Sequence, residues 1–83
     1  MRVRLRYFAW LRERVGAPEE EVETAAATVG ALVEELKARD EGHALAFADL
    51  RAVRVAVDEE IADLAAPLAG VREVAFFPPM TGG

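Results

Sequence analysis

The feature of this 83-residue sequence that could do chemistry is its final segment, where Pro78-Pro79 and Met80-Thr81 precede Gly82-Gly83. Six residues of extended chain span at most about 20 Å. Glycine has no side chain, so the backbone at Gly82 and Gly83 can approach another molecule closely. The segment predicts a narrow tail that enters a channel on another protein and presents the α-carboxyl group of Gly83. An ordinary frayed terminus is the alternative.

The remaining side chains argue against an active site within the chain. The sequence has no Cys and no Ser, which excludes thiol chemistry, disulfides and a serine nucleophile. We expect the only histidine, His43, to be solvated or weakly packed near a helix end. Four carboxylates that cluster in sequence lack the spacing of a calcium loop, so we expect a solvated acidic turn and no metal site; they are Asp58, Glu59, Glu60 and Asp63.

Composition limits the chain to one small domain. A hydrophobic fraction of 53% with 30% charged residues is typical of a globular protein with one modest core. The net charge of −5 argues against general nucleic-acid binding. We find no apolar stretch long enough to span a membrane and no secretory signal, so we expect a cytoplasmic protein.

The hydrophobic periodicity predicts one main helix and several short strands. The main helix begins after an N-cap at Thr28 and presents Val29, Leu32, Val33 and Leu36 to a sheet. The main helix is predicted to end at residues 40–42, and a helical turn or two should follow within 44–50. A second, short helix is predicted over 9–15, closed by Gly16. The predicted strands cover residues 2–8, 22–26 (a weak strand), 53–57, 60–62 and 73–77. One helix across a mixed sheet of four to five strands predicts an α+β fold of the β-grasp type over residues 1–77, followed by a flexible tail over 78–83.

Two aromatic residues break the alternation of their strands. Phe8 falls on the face opposite to Tyr7, and of the neighbours Phe76 and Phe77 one must point away from the core. We predict that Phe77 points outward and forms an exposed cluster with Phe8 and Ile61 for recognition of a partner. The alternative is that these rings only cover the short helix.

Two segments carry a family resemblance. The ending EVAFFPPMTGG, residues 73–83, resembles the EVAFFPPVTGG signature of MoaD-type sulfur carriers, the small subunits of molybdopterin synthases in the ubiquitin-like MoaD/ThiS superfamily. Residues 7–16 are similar to that family's FFAxLRELVG, and the resemblance extends over essentially the whole chain. The sequence departs from the pattern at Asp58, where the family has Asn, at Ala65, where it has Asp, and at residues 70–72, where it has DGD.

The resemblance implies a function at the chain terminus. An ATP-dependent, E1-like adenylyltransferase would adenylate the Gly83 carboxylate, and sulfur from a donor protein would convert it to a thiocarboxylate. The tail would then enter the large subunit of a heterotetrameric molybdopterin synthase and give its sulfur to cyclic pyranopterin monophosphate. The chain would bind no cofactor and would not be an enzyme by itself. The implied partner-binding residues are Phe8, Arg12, Ile61, Phe77, Pro78, Pro79, Met80 and Thr81.

Two other functions use the same terminus. The chain could carry sulfur for thiamine synthesis or for tRNA thiolation. A ubiquitin-like modifier would join Gly83 to lysine side chains of other proteins through isopeptide bonds.

Overall fold

A five-stranded mixed sheet with helices on one face forms the molecule, and the computed structural model describes residues 1–79. The strands are β1 (Arg2–Tyr7), β2 (Glu19–Glu23), β3 (Arg54–Val57), β4 (Glu60–Ala62) and β5 (Glu73–Phe77), and the helices are α1 (Trp10–Val15), α2 (Val29–Lys37) and α3 (Glu41–Ala46), with a 3₁₀ turn at Leu50–Ala52. The strand order is β2-β1-β5-β3-β4. Strands β1 and β5 are parallel neighbours, and the other pairs are antiparallel.

The alternation of β1 produces a two-faced strand. Val3, Leu5 and Tyr7 are buried, while the three arginines that alternate with them, Arg2, Arg4 and Arg6, are exposed. Side chains in a strand alternate between the two sides of the sheet, so this pattern directs one side toward α2 and leaves the other open. We call these the inner face and the outer face.

Helix α2 forms as the sequence predicts. The Thr28 hydroxyl accepts a hydrogen bond from Ala31 N at 3.1 Å and so satisfies a free amide of the first turn. The four apolar residues of its stripe, Val29, Leu32, Val33 and Leu36, are all buried. Gly30 N donates to Leu64 O at 2.8 Å, which brings the loop before β5 onto the start of the helix.

Several predicted elements have different bounds: β1, α1 and β3 are each one residue shorter than predicted, and two others differ more. Strand β2 is the acidic run Glu19–Glu23, not residues 22–26 as the sequence predicted, because its glutamates lie opposite the arginines of β1. The predicted stop at 40–42 instead begins α3, where Asp40 accepts from His43 N at 2.9 Å as the N-cap. Phe47 follows α3 and is buried, whereas Leu45 is 56% exposed.

The β3–β4 connection is a two-residue turn at Asp58 and Glu59. Both have positive φ, 48° and 71°, in the left-handed region that such hairpin turns demand. The Asp58 carboxylate accepts from Arg72 N and Glu73 N, each at 3.0 Å. The residue that departs from the family pattern here therefore ties the turn to the start of β5.

None of the helices within residues 1–79 is long and apolar enough to cross a membrane.

Candidate functional site

The strand register creates an apolar area on the outer face of the sheet. Val74 and Phe76 of β5 are buried on the inner face, so Ala75 and Phe77 project outward. Ala75 lies opposite Ala56 of β3, and Ala56 lies opposite Ile61 of β4. Small side chains therefore occupy the middle of this face, between larger apolar side chains.

A groove of about 500 Å³ opens where β5 leaves the sheet. The side chains that line it are all apolar and belong to Phe8, Ala9, Ala75, Phe77, Pro78 and Pro79. Proline has no backbone N–H and cannot extend a strand ladder, so the chain leaves the sheet here. The groove thus lies at the base of the C-terminal segment, and we call it the tail-base groove.

One wall of the tail-base groove is Phe8. It is 39% exposed, and the Arg6 guanidinium carbon lies 5.2 Å from the centroid of its ring. A cation at that distance over an aromatic face is attracted by the ring quadrupole. Arg6 also lies 4.0 Å from Glu73, measured from Nη1 to Oε2, so a charged pair borders the groove on the β1 side.

The backbone at Ala9 is strained. Its φ of 54° and ψ of −132° lie outside the regions that side chains other than glycine's readily adopt. Such conformations cost about 1–3 kcal/mol and cluster at functional sites. The bend ends β1, starts α1 and places Ala9 in the groove wall.

Helix α1 is fixed on its far side by α3. Gly16 ends it in the left-handed conformation, with φ 94° and a hydrogen bond from its N–H to Arg12 O at 2.9 Å, as predicted. A Cβ atom on Gly42 of α3 would lie only 2.7 Å from Arg14 O. Glycine at 42 therefore allows the two helices to approach closely and fixes the position of α1, which carries Arg12.

The structure brings together part of the predicted partner-binding set. Phe8, Phe77, Pro78 and Pro79 all line the tail-base groove, together with Ala9 and Ala75, which sequence reasoning missed. Ile61 is 77% exposed on the same face but lies on β4, the edge strand, outside the groove lining. Arg12 is exposed on α1. Met80, Thr81, Gly82 and Gly83 lie outside the described residues, and the binding role of the whole set stays a prediction.

The expectation that His43 is solvated or weakly packed is wrong. Its side chain is buried, and the residue is 4% exposed within α3. Nε2 lies 2.7 Å from Glu20 Oε2, and Nδ1 lies 2.9 Å from Asp40 Oδ1. Tyr7 donates its hydroxyl proton to the same Glu20 oxygen at 2.8 Å. These four side chains form a polar network that joins α3 to β1 and β2 beneath the sheet, and we call it the His43 network.

The His43 network changes the titration of its members. Burial alone would raise the pKa of Glu20, but hydrogen bonds from His43 and Tyr7 outweigh it and hold that pKa below 4.5. Hydrogen bonds from the backbone N–H and the ring of His43 lower the pKa of Asp40 below 3.8. Burial, reinforced by the hydrogen bond to Glu20, raises the pKa of Tyr7 above its ordinary value. Both carboxylates are therefore ionised at neutral pH and accept hydrogen bonds, Glu20 in a partly buried position and Asp40 at the surface.

No other cluster in the described part of the chain suggests chemistry. Among residues 1–79, no group of three or more His, Asp or Glu side chains is arranged to hold a metal ion. Asp58, in the acidic turn, uses its carboxylate to accept backbone N–H groups. What the arrangement offers is an apolar groove at Pro78 and Pro79, where β5 ends, and such a surface can bind another protein.

Comparison with known proteins gives matches over nearly the whole chain. The family model described as ThiS family matches residues 5–83. The chain is 38% identical over 81 residues to the molybdopterin synthase sulfur carrier subunit of Escherichia coli (strain K12), a match that covers 98% of this chain and 99% of that protein.

Among the solved structures that match, two are similar to this chain over nearly their whole length. SAMP1 from Haloferax volcanii has a TM-score of 0.75 and 27% identity, with all of both chains covered. The putative molybdopterin converting factor subunit 1 from Pyrococcus furiosus has a TM-score of 0.74 and 28% identity, covering 96% of this chain and 99% of that one. The predicted β-grasp fold and the predicted MoaD-type family resemblance are thus confirmed. The chain is a ubiquitin-like β-grasp protein and belongs to the ThiS family.

Proposed function

We propose that this protein is the sulfur-carrier subunit of a molybdopterin synthase. The observation that carries the proposal is the 38% identity to the sulfur carrier subunit of Escherichia coli, which extends over nearly all of both proteins. The absence of Cys and Ser agrees with it, because a carrier that holds sulfur on its own terminus needs no nucleophilic side chain. The protein then acts as a donor subunit and is not an enzyme by itself.

The chemistry proceeds at the Gly83 carboxylate in two steps. A carboxylate oxygen attacks the α-phosphorus of ATP on an E1-like adenylyltransferase, which gives an acyl-adenylate and releases pyrophosphate. Sulfide supplied by a donor protein then attacks the carbonyl carbon, the C–O bond to AMP breaks, AMP leaves with loss of a proton from sulfur, and the terminus becomes a thiocarboxylate. The acyl-adenylate is needed because a carboxylate is a poor electrophile, and covalent activation divides one difficult step into two easier ones.

The thiocarboxylate then gives its sulfur to cyclic pyranopterin monophosphate in the large subunit, within a heterotetramer in the cytoplasm. We assign residues 1–77 to the body that docks and 78–83 to the tail that reaches the substrate. The apolar lining of the tail-base groove supports this division, because it places a surface suited to docking directly beside the point where the tail begins. The chain itself holds no cofactor, and ATP is consumed by the activating enzyme.

Intact-mass spectrometry tests the proposal. Incubation of the purified chain with an adenylyltransferase of this family, ATP and sulfide should replace one oxygen by sulfur and raise the mass by about 16 Da. The matched control is the variant that lacks Gly83, which should show no mass change. Its free energy of unfolding should stay within about 0.5 kcal/mol of the parent, because exposed terminal changes seldom affect folding. An unchanged mass of the full chain would contradict the proposal.

A ubiquitin-like modifier is the second candidate function. It is favoured by the structural similarity to SAMP1 of Haloferax volcanii, whose name stands for small archaeal modifier protein 1. Gly-Gly remnants on lysines of other proteins, traceable to this chain, would support it. Co-purification with a thiazole synthase or a tRNA-thiolating enzyme, in place of a pterin-binding large subunit, would indicate a carrier for a different acceptor.

A further inference from the structure

Strand β2 leaves one side of its backbone unpaired. Thr24 N donates to Met1 O and Met1 N donates to Thr24 O, each at 2.9 Å, so residues 1 and 24 form a hydrogen-bonded antiparallel pair. Such pairs alternate along a ladder, so Val22 and Glu20 face β1 with their backbone groups. The N–H and C=O groups of the residues between them, Glu21 and Glu23, point away from β1. No described residue is hydrogen-bonded to them.

A groove lies beside this free edge. It has a volume of about 270 Å³ and is bordered by β2 and α2. Its lining combines three largely buried apolar side chains with three carboxylates and one cation: Val22, Leu32 and Leu36, then Glu21, Glu23 and Glu35, and Arg39. An added strand would therefore find unpaired backbone groups along its length and, on the inner side, a groove of mixed apolar and charged lining.

The negative charge of the β2 side chains determines which kind of strand can pair with its free edge. A second copy of the chain paired through β2 would place glutamates against glutamates, and like charges directly opposite each other are destabilising. A segment with arginine or lysine on its outward side would place cations there instead. Strand β1 already has this complementarity on the other side, because Arg2 and Arg4 lie opposite Glu23 and Glu21, with Arg2 Nε 3.2 Å from Glu23 Oε1.

We propose that the free edge of β2 and the groove beside it bind an extended segment of a partner protein in which basic and apolar residues alternate. The basic side chains lie over Glu21 and Glu23 on the outer face, and the apolar ones enter the groove on the inner side. The tail-base groove lies on the other side of β1, among β5 and the residues that follow β1 and β5. The two surfaces do not share a lining residue, so a partner at β2 can bind while the tail-base groove is occupied.

A peptide with the alternation of β1 is the probe. The blocked peptide Arg-Val-Arg-Leu-Arg-Val is compared with Arg-Arg-Arg-Val-Val-Leu, which has the same composition and charge without the alternation. Binding to the full chain is followed by amide chemical shifts and by hydrogen exchange. The alternating peptide should shift and protect the amides of Glu21 and Glu23, and the scrambled peptide should not.

Two substitutions at one position separate the backbone from the charge. Glu21→Pro removes an outward N–H that β1 does not use, and proline is tolerated on the solvent side of an edge strand. It should weaken binding about tenfold, the upper range for one lost hydrogen bond. Glu21→Gln keeps the N–H and should weaken binding only about two- to fivefold, with a smaller salt dependence.

Several results would overturn the proposal. Equal affinity of the two peptides would show non-specific attraction to an acidic surface. Chemical-shift changes confined to the tail-base groove would show that the peptide binds there and not at β2. If the β2 amides of the chain without peptide become protected as the protein concentration rises, the occupant of the edge is a second copy of the chain. If Glu21→Pro does not fold, the exchange rates of the parent chain still decide, because unchanged exchange at Glu21 and Glu23 in saturating alternating peptide contradicts strand addition.

Discussion

Two adjacent phenylalanines on opposite faces of β5 should respond in opposite ways to truncation. Phe76 is fully buried, with its ring centroid 5.8 Å from that of Tyr7 and 4.9 Å from that of Phe47. Phe76→Ala should cost about 3–5 kcal/mol of folding free energy. A domain of this size has only about 4–12 kcal/mol in total. Phe76→Leu therefore serves as the variant that keeps the fold.

Phe77 lies on the outer face and lines the tail-base groove, so its truncation removes little of the core. Phe77→Ala should lower the free energy of unfolding by about 1 kcal/mol, roughly half the value of a fully buried ring. Binding to a molybdopterin synthase large subunit should weaken by about 1–2 kcal/mol, or 5- to 30-fold, if the ring anchors the partner.

Urea unfolding and calorimetric titration measure the two effects separately. The expected pattern is a loss of stability with retained affinity for Phe76→Leu, and a loss of about 1 kcal/mol with weakened affinity for Phe77→Ala. Phe8→Ala should behave like Phe77→Ala, because both rings line the same groove. The reasoning is refuted if Phe77→Ala destabilises the fold as strongly as truncation of Phe76 and leaves the dissociation constant unchanged.

Three further predictions concern the parts that support the groove. Ala9→Gly should relieve the positive-φ strain and raise the free energy of unfolding by about 1 kcal/mol, and a loss of stability in urea titration would argue against strain at this residue. Because the folded-state pKa values of Glu20 and Asp40 are depressed, the stability they provide should be complete above pH 4.5 and should decline as pH falls through those lowered values. Thermal unfolding from pH 6 to 3 measures this decline, and Glu20→Gln should make it shallower. Gly42→Ala would place a methyl group against Arg14 O and should cost about 1–3 kcal/mol, measured by the urea midpoint; an unchanged midpoint would mean that α1 and α3 can separate at little cost.

The elements with clear local signals could be predicted from sequence. Strand β5 has the predicted bounds because apolar alternation ends at two prolines that cannot continue it. Helix α2 has the predicted cap and the predicted buried stripe, because Thr28 and the i, i+3, i+4, i+7 pattern are both local. Strand β4 also has its predicted bounds, residues 60–62.

The elements that depend on distant partners could not be predicted. Glutamate is depleted in strands, so the acidic run of β2 resembles a turn until the arginines of β1 lie opposite it. His43 follows the charged run Arg39-Asp40-Glu41, and nothing local indicates that Glu20, on another element, is within 2.7 Å of its ring. The prediction for each failed because the stabilising partner lies far away along the chain.

The candidate site also has parts that could be predicted from sequence and parts that could not. The outward direction of Phe8 and Phe77 follows from the period of two along a strand. The groove between them depends on the small side chains of Ala9 and Ala75, and a single sequence does not show whether an alanine fills a core or leaves space. The backbone torsion of Ala9 has no sequence signal, because alanine is not a residue associated with positive φ.

The parallel pairing of β1 with β5 has a consequence for how the protein is made. The first strand in the sequence cannot complete its ladder until the last strand has left the ribosome, since β5 inserts between β1 and β3. Pairings between segments so far apart form slowly, because the entropy of closing the long loop is lost before the stabilising contacts are made. We therefore expect arrested nascent chains that stop before residue 73 to remain protease-sensitive, so that synthesis must reach β5 before a stable body exists.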